Sequence, residues 1–259
     1  MTQPLAYIHP DAKIAEDVII EPFTTIAGDV EIGSGTWIGP NVTIMDGARI
    51  GKNCKIYPGA VIAGEPQDLK FEGEKTTCII GDNTTIRECV TVNRGTNASG
   101  STVVGNNCLL MGTVHIAHDC RLGDNIVIAN GCGISGHCEI DDYAVIGGMT
   151  GMHQFVKVGA HAMVAGGSMV RKDVPPYVLA GKEPLSYIGI NSTGLRRRGF
   201  SSDTIHTIQD IYRIIYQGDM NITQAINHIE AEFEPGVERD AIIEFVRSSS
   251  RGLMRGFHD

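Results

Sequence analysis

The sequence is poor in the residues that make a ring-packed core. It has one tryptophan and only 6% aromatic residues, against 32 glycines in 259 positions. That balance is unusual for a packed β-sandwich and suits narrow walls with many corners. No apolar stretch approaches the ~20 residues that a membrane-spanning helix needs. The opening MTQPLAYIHP lacks the basic start and apolar core of a secretory signal, so a cytoplasmic protein is expected. Lys and Arg number 21 against 30 Asp and Glu, and the net charge of −9 argues against extensive nucleic-acid binding. Among seven cysteines there is no C-x-x-C pair. The length allows one large domain or two modest ones.

What the sequence does have is isoleucine at a fixed interval. Ile8, Ile14, Ile20, Ile26, Ile32, Ile38, Ile44, Ile50, Ile56 and Ile62 stand six apart without a slip. A period of six fits neither a helix nor a simple strand. It fits a coil with short flat sides, as in hexapeptide β-helices. Three such sides close one turn, so residues 18 apart stack at the ~4.8 Å spacing of a parallel sheet. Polar excursions interrupt the beat at residues 64–76 and 93–101, and it then runs from Val104 through Ile116, Ile134 and Met152 to Val170. Six cysteines (Cys54, Cys78, Cys108, Cys120, Cys132, Cys138) stand two residues before an apolar repeat position. Ala, Thr and Ser fill that slot elsewhere, so these thiols read as small inward packing groups.

Asp173-Val-Pro-Pro-Tyr177 is expected to end the coil, because two prolines cannot continue a ladder. Beyond it the period becomes helical. Ile205, Ile208, Ile211, Tyr212 and Ile215 form one stripe stopped by Gly218, a second helix starts near Asn221 and a third near Val237. The expected fold is mainly β: a parallel β-helix over residues 1–187 with a small α-helical C-terminal domain over 188–259. The helical part is a thin core alone and is expected to pack on the solenoid or on a neighbouring subunit.

Five of nine histidines (His115, His118, His137, His153, His161) fall between residues 115 and 161. Ile116 points inward, so His115 points outward and His118 lies at the following corner. Steps of 18 from His118 reach Gly136, Gln154 and Lys172, and one step from Asp119 reaches His137. A corner with an imidazole, an approachable backbone N–H and an amide suits acyl transfer to a hydroxyl. The imidazole takes the proton, the Gly136 N–H faces the oxyanion, and Asp119 orients His118. The plain alternative is a solenoid wall decorated with polar histidines.

His115-Ile-Ala-His118-Asp-Cys120, Ile146-Gly-Gly-Met-Thr, His153-Gln-Phe155, Gln67-Asp-Leu-Lys70, Asp173-Val-Pro-Pro-Tyr177 and Arg197-Arg-Gly-Phe200 carry a resemblance over nearly the whole chain. They resemble the acyl-carrier-protein–UDP-N-acetylglucosamine O-acyltransferases, which open lipid A biosynthesis. The resemblance implies a left-handed coil, and a homotrimer with sites between subunits. It implies an (R)-3-hydroxyacyl donor on acyl carrier protein and no cofactor or metal. It also implies His118 as general base for the sugar 3-hydroxyl, Asp119 as its partner and Gly136 as oxyanion donor. Asp68 and Lys70 would hold substrate, and His115, His137, His153 and Gln154 would line the cleft. Asn191, Arg197 and Arg198 would meet the nucleotide sugar. Gly166 would set the depth of the acyl tail, and its bare backbone suggests a long chain.

Asn93 stands where that family commonly has His, and Thr193 where it has Glu. Both departures fall on the acceptor side, and the choice between a 3-hydroxyl and a 3-amine stays open. Arg196, Arg197 and Arg198, with Arg171, Lys172 and Lys182, read either as a solvated face or as a local patch for an acidic carrier protein and a diphosphate. The rival functions are a zinc lyase with bridging histidines on the same solenoid, a non-catalytic scaffold, and a coenzyme-A acetyltransferase.

Overall fold

The computed structural model describes residues 5–256; the outermost ends of the two expected domains, residues 1–4 and 257–259, lie outside the described part. From Tyr7–Ile8 onward, short strands recur at the six-residue interval, and with Ser186–Ile190 and Arg255–Gly256 at one end the strands of the described residues sort into three sheets of nine, eight and eleven. These sheets are the first, second and third walls of a left-handed parallel β-helix. Neighbouring strands pair in register at the expected step: His115 and Ile116 lie beside Gly133 and Ile134, which lie beside Gly151 and Met152.

The repeated apolar residue is the second residue of each two-residue strand and faces the interior. Ile26, Ile38, Ile56, Ile62, Ile116 and Ile134 are all fully buried, each contributing about 1.5–3 kcal/mol through removal from water. The six patterned cysteines are buried as well. Cys108 Sγ donates to Gly123 O at 3.2 Å and Cys120 Sγ to Ser135 O at 3.1 Å, so the thiols also satisfy corner carbonyls of the next turn. Corners need a residue in the left-handed region, and Asn41, Asn53, Asn83, Asn107 and Asn125 supply it with φ between 54° and 58°. Asparagine enters that region at low cost because its side chain can hydrogen-bond locally.

Both excursions leave the first wall and re-enter at the second. One spans residues 65–76, between strands Val61–Gly64 and Thr77–Ile80; the other spans 94–100, between Thr91–Asn93 and Ser101–Val104. They therefore stack over one edge of the prism, which the His118 corner also occupies.

The prolines do not end the ladder. Val174 bridges Val158, and strand Val178–Gly181 pairs with Met163–Val164 in the third wall. Pro175 and Pro176 sit in the corner between them, where no ladder N–H is required. Strand Ser186–Ile190 then pairs antiparallel with Val178–Gly181.

Among the described residues four helices follow instead of three: α1 (Ser192–Arg197), α2 (Ser202–Gln217), α3 (Ile222–Glu232) and α4 (Val237–Ser248). The additional one, α1, has a single buried residue, Leu195, and so shows no apolar stripe in sequence. Ser201 caps α2, and Asn221 with Gln224 forms a capping box on α3. Tyr212 of α2 is fully buried and donates its hydroxyl to Pro176 O at 2.6 Å, which fastens the helices to the last turn of the solenoid. Among the described residues no helix is long and apolar enough to cross a membrane.

Candidate active site

The edge between the first and second walls gathers most of the expected site residues. His118 is 6% exposed and Asp119 4%. A corner of a bare solenoid would leave them open, but the 94–100 loop roofs this one. His118 Nδ1 is 2.8 Å from Asp119 Oδ2. Asp119 also accepts from Thr96 N at 3.0 Å, Thr96 Oγ1 at 2.7 Å and Ser99 Oγ. Burial pushes the Asp119 carboxyl up, but the donors from Ser99, His118 and Thr96 outweigh it and hold the pKa at about 2. An ionised carboxylate is an acceptor only, so His118 Nδ1 carries a proton, and in the neutral ring Nε2 is the acceptor. Among the described residues no hydrogen bond occupies Nε2.

Gly136 lies directly against the ring. A β-carbon there would stand 2.7 Å from His118 Cε1 and 2.8 Å from Nε2, so only glycine lets the imidazole reach this backbone. His137 N donates to His118 O at 3.1 Å, which sets the two turns in register. The geometry therefore sets the Nε2 edge of His118 against the Gly136 backbone, whose N–H is left without an acceptor among the described residues.

Asp119, His137 and Phe155 occupy equivalent left-handed corners, with φ of 61°, 60° and 68°. His137 and Phe155 enter that region less readily than asparagine or aspartate, as do Tyr143, Met149 and His161 at other corners of the coil. His137 packs edge-on to His118 at 5.2 Å and face-on to Phe155 at 4.7 Å, with Nε2 3.7 Å from Asp119 Oδ2. His115 projects from the first wall and is hydrogen-bonded through Nδ1 to Thr91 Oγ1 at 2.7 Å. Burial and the neighbouring His118 push its pKa down. Further up the edge, His153 is exposed and Gln154 half-buried.

In the first excursion Asp68 Oδ1 accepts from Lys70 N at 3.0 Å, a turn that presents Leu69, wholly exposed, at its tip. Asn93 is 5% exposed; its Nδ2 donates to Glu65 O at 2.9 Å and its Oδ1 is buried without a partner. It thus joins the root of one excursion to the strand leading into the other.

The remaining predicted residues lie on other edges of the same chain. Asn191 and Arg198 sit over the corner between the second and third walls, where Asn191 Nδ2 donates to His161 O at 2.9 Å and Arg198 Nη2 to Tyr143 O at 2.9 Å. Asn191 Oδ1 also accepts from Gly194 N at 3.1 Å and so caps α1, which carries the exposed Arg197. Gly166 lies at the corner between the third and first walls, where a β-carbon would stand 3.0 Å from Gly148 O. Within one chain these residues do not join His118.

His118, Asp119 and His137 present ligand atoms within 4.8 Å of one another, enough in principle for a cation. The donor set opposes it. The Asp119 oxygens are already filled by hydroxyl and backbone N–H donors, and the His118 nitrogen facing them carries a proton. A metal here would have to displace Thr96 and Ser99.

Thr91, Thr96, Ser99 and Phe155 were not legible as site residues from the sequence. A signal exists: Val92 to Ile116 spans 24 residues, one turn plus six, which sets the polar, glycine-containing insertion beside the His118 corner.

A β-helix of hexapeptide rungs with an imidazole–carboxylate pair aimed at a bare amide belongs to the hexapeptide-repeat transferases. Residues 29–64 and 101–136 match the bacterial transferase hexapeptide model, and residues 173–254 match the second domain of UDP-N-acetylglucosamine O-acyltransferase. The crystal structure of LpxA, a UDP-N-acetylglucosamine acyltransferase from Bacteroides fragilis 9343, is 50% identical with a TM-score of 0.97, covering 98% of this chain and 100% of that one. The Francisella novicida UDP-N-acetylglucosamine acyltransferase is 39% identical with a TM-score of 0.96, over 98% and 94%. The acyl-[acyl-carrier-protein]–UDP-N-acetylglucosamine O-acyltransferase of Burkholderia mallei (strain SAVP1) is 40% identical over 201 residues, 76% of this chain and 77% of the relative. The chain belongs to this acyltransferase family.

Proposed function

We propose that the chain transfers an (R)-3-hydroxyacyl group from acyl carrier protein to the 3-hydroxyl of UDP-N-acetylglucosamine, the first step of lipid A biosynthesis, in the cytoplasm. The observation that carries the reading is the open Nε2 of His118 beside the free N–H of Gly136. Nε2 takes the sugar hydroxyl proton as the oxygen attacks the thioester carbonyl. The resulting oxyanion accepts from the Gly136 N–H. Collapse expels the carrier thiolate, which recovers a proton from the imidazolium, and Asp119 remains ionised throughout. The step is balanced without metal or cofactor.

The wall chemistry supports a homotrimer with clefts between subunits. The second wall is charged, with Arg121, Glu139 and Lys157 outward, and suits solvent. The third wall shows Leu109, Val127, Val145 and Met163 outward, and the first shows Gly133, Gly151 and Met169. Burying these faces brings the His118 edge of one subunit against another edge of its neighbour. Asn191, Arg197 and Arg198 or Gly166 then reach a site that their own chain does not complete. In the same arrangement Leu69, Asp68 and Lys70 extend from the tip of the first excursion toward a neighbour's substrate. His115, His137, His153 and Gln154 line the cleft. Exposed Arg196 and Arg197 offer cationic contacts to the diphosphate and to the acidic carrier protein.

The test is a transfer assay with UDP-N-acetylglucosamine and a panel of 3-hydroxyacyl carrier-protein donors. His118→Ala is expected to remove most turnover with the trimer intact. Unchanged activity in that variant overturns the reading. So does stoichiometric zinc whose removal abolishes transfer.

A further inference from the structure

We propose that Thr96 and Ser99, from the loop over the His118 corner, are positioning residues that lock Asp119 onto His118 and thereby set the catalytic tautomer. The proposal rests on His118 being the base. A carboxylate offers about four lone-pair directions, and at Asp119 they are met by His118 Nδ1, Thr96 N, Thr96 Oγ1 and Ser99 Oγ. Nothing is left for the carboxylate to gain by rotating. It holds the imidazole from one side only, and Nε2 is left pointing to Gly136.

The competitor is close. His137 Nε2 is 3.7 Å from Asp119 Oδ2 and would pair with a carboxylate released by the loop. Thr96 is itself firmly placed. Its carbonyl accepts from Gly100 N at 2.7 Å, Gly95 N donates to Thr77 O at 3.0 Å, and Thr76 Oγ1 donates to Gly95 O at 2.6 Å. Asn97 N donates to Glu74 Oε1 at 3.1 Å, so the first excursion braces the second. Thr102 adds the last restraint by accepting Asp119 N at 2.8 Å through Oγ1.

The donors have a chemical effect as well as a mechanical one. Charge drawn from the Asp119 oxygens weakens their pull on the His118 proton, so after proton abstraction both protons stay on the ring. The imidazolium then returns its Nε2 proton to the departing thiolate.

Thr96→Val, Ser99→Ala, the double variant and Thr96→Ser are compared with His118→Ala in the transfer assay, each checked for unfolding temperature and trimer size. The double variant is expected to lose about 10- to 100-fold in kcat with KM nearly unchanged. Its acid limb should move to higher pH, because a carboxylate relieved of two donors holds the imidazolium more strongly. Thr96→Ser, which keeps the hydroxyl, should retain most activity. In an Asp119→Asn background the same two substitutions should cost little more. Full activity of the folded double variant, or losses that simply multiply with Asp119→Asn, overturns the proposal while leaving His118 as base. Activity in His118→Ala overturns the underlying reading instead.

Discussion

His118 Cε1 lies where a β-carbon on Gly136 would come within 2.7 Å. The glycine is required by this approach and not by its own backbone, which is outside the left-handed region. Gly136→Ala is therefore expected to fold normally and to displace the ring or the N–H. Kinetics should show a kcat loss of about 100-fold or more, with an unfolding temperature near that of the parent.

Asn191 is committed at both ends of its side chain, to His161 O and to Gly194 N. Asn191→Ala should lose about 1 kcal/mol of helix cap and loosen α1, which carries Arg197. Asn191→Asp keeps the cap and loses the donor to His161. Unfolding temperature should fall in the first more than in the second. KM for the nucleotide sugar should rise in both, if the seat of α1 rather than direct contact is what matters.

His161 is stacked between Tyr143 at 4.8 Å and Tyr177 at 5.6 Å, with Phe200 edge-on at 5.0 Å. Burial, then the Arg198 charge, pushes its pKa down to about 4 against the opposing influence of Asp142. The unfolded chain binds this proton near pH 6.5 and the folded chain only near 4. The stability is fully present above 6.5 and is lost as pH falls through that window. His161→Phe should flatten the decline in unfolding temperature between pH 6.5 and 4, measured as a slope and not as an absolute value.

Of seven cysteines, Cys89 alone is exposed, and burial pushes the Cys78 thiol up to about 12. Cys89 lies at the corner between the third and first walls, the faces that the proposed trimer buries, so alkylation followed by peptide mass analysis should modify Cys89 as the subunits are separated by dilution. The other six should react only after unfolding. Early labelling of Cys120 or Cys138 would show that the small-residue slot opens to solvent.

Much of the candidate site's geometry can be read by counting. With Ile116 inward, steps of 18 bring His118 over Gly136, and Asp119 over His137. The turns are identical in length there, so position in sequence maps onto position in space. The mapping fails where the period does. Thr96 and Ser99 sit in a loop whose path depends on hydrogen bonds to Thr77, Thr76 and Glu74, and none of these leaves a periodic trace. Burial of His118 was illegible for the same reason, since its cover is that loop. The strand beyond Pro175-Pro176 was missed because proline forbids a ladder bond but is harmless in a corner. Helix α1 is too short to show a stripe, and its start depends on a cap that Asn191 shares with the solenoid.

The uniform pitch of the coil has a consequence for how such a molecule can change. His118 and the amide of Gly136 belong to consecutive turns, so losing or gaining one residue between them would swing them out of alignment. A whole extra turn inserted near Ile38, far from the His118 and Gly136 rungs, would only make the column taller. Stature is free to drift in descendants of this chain, while phase across a few rungs is not.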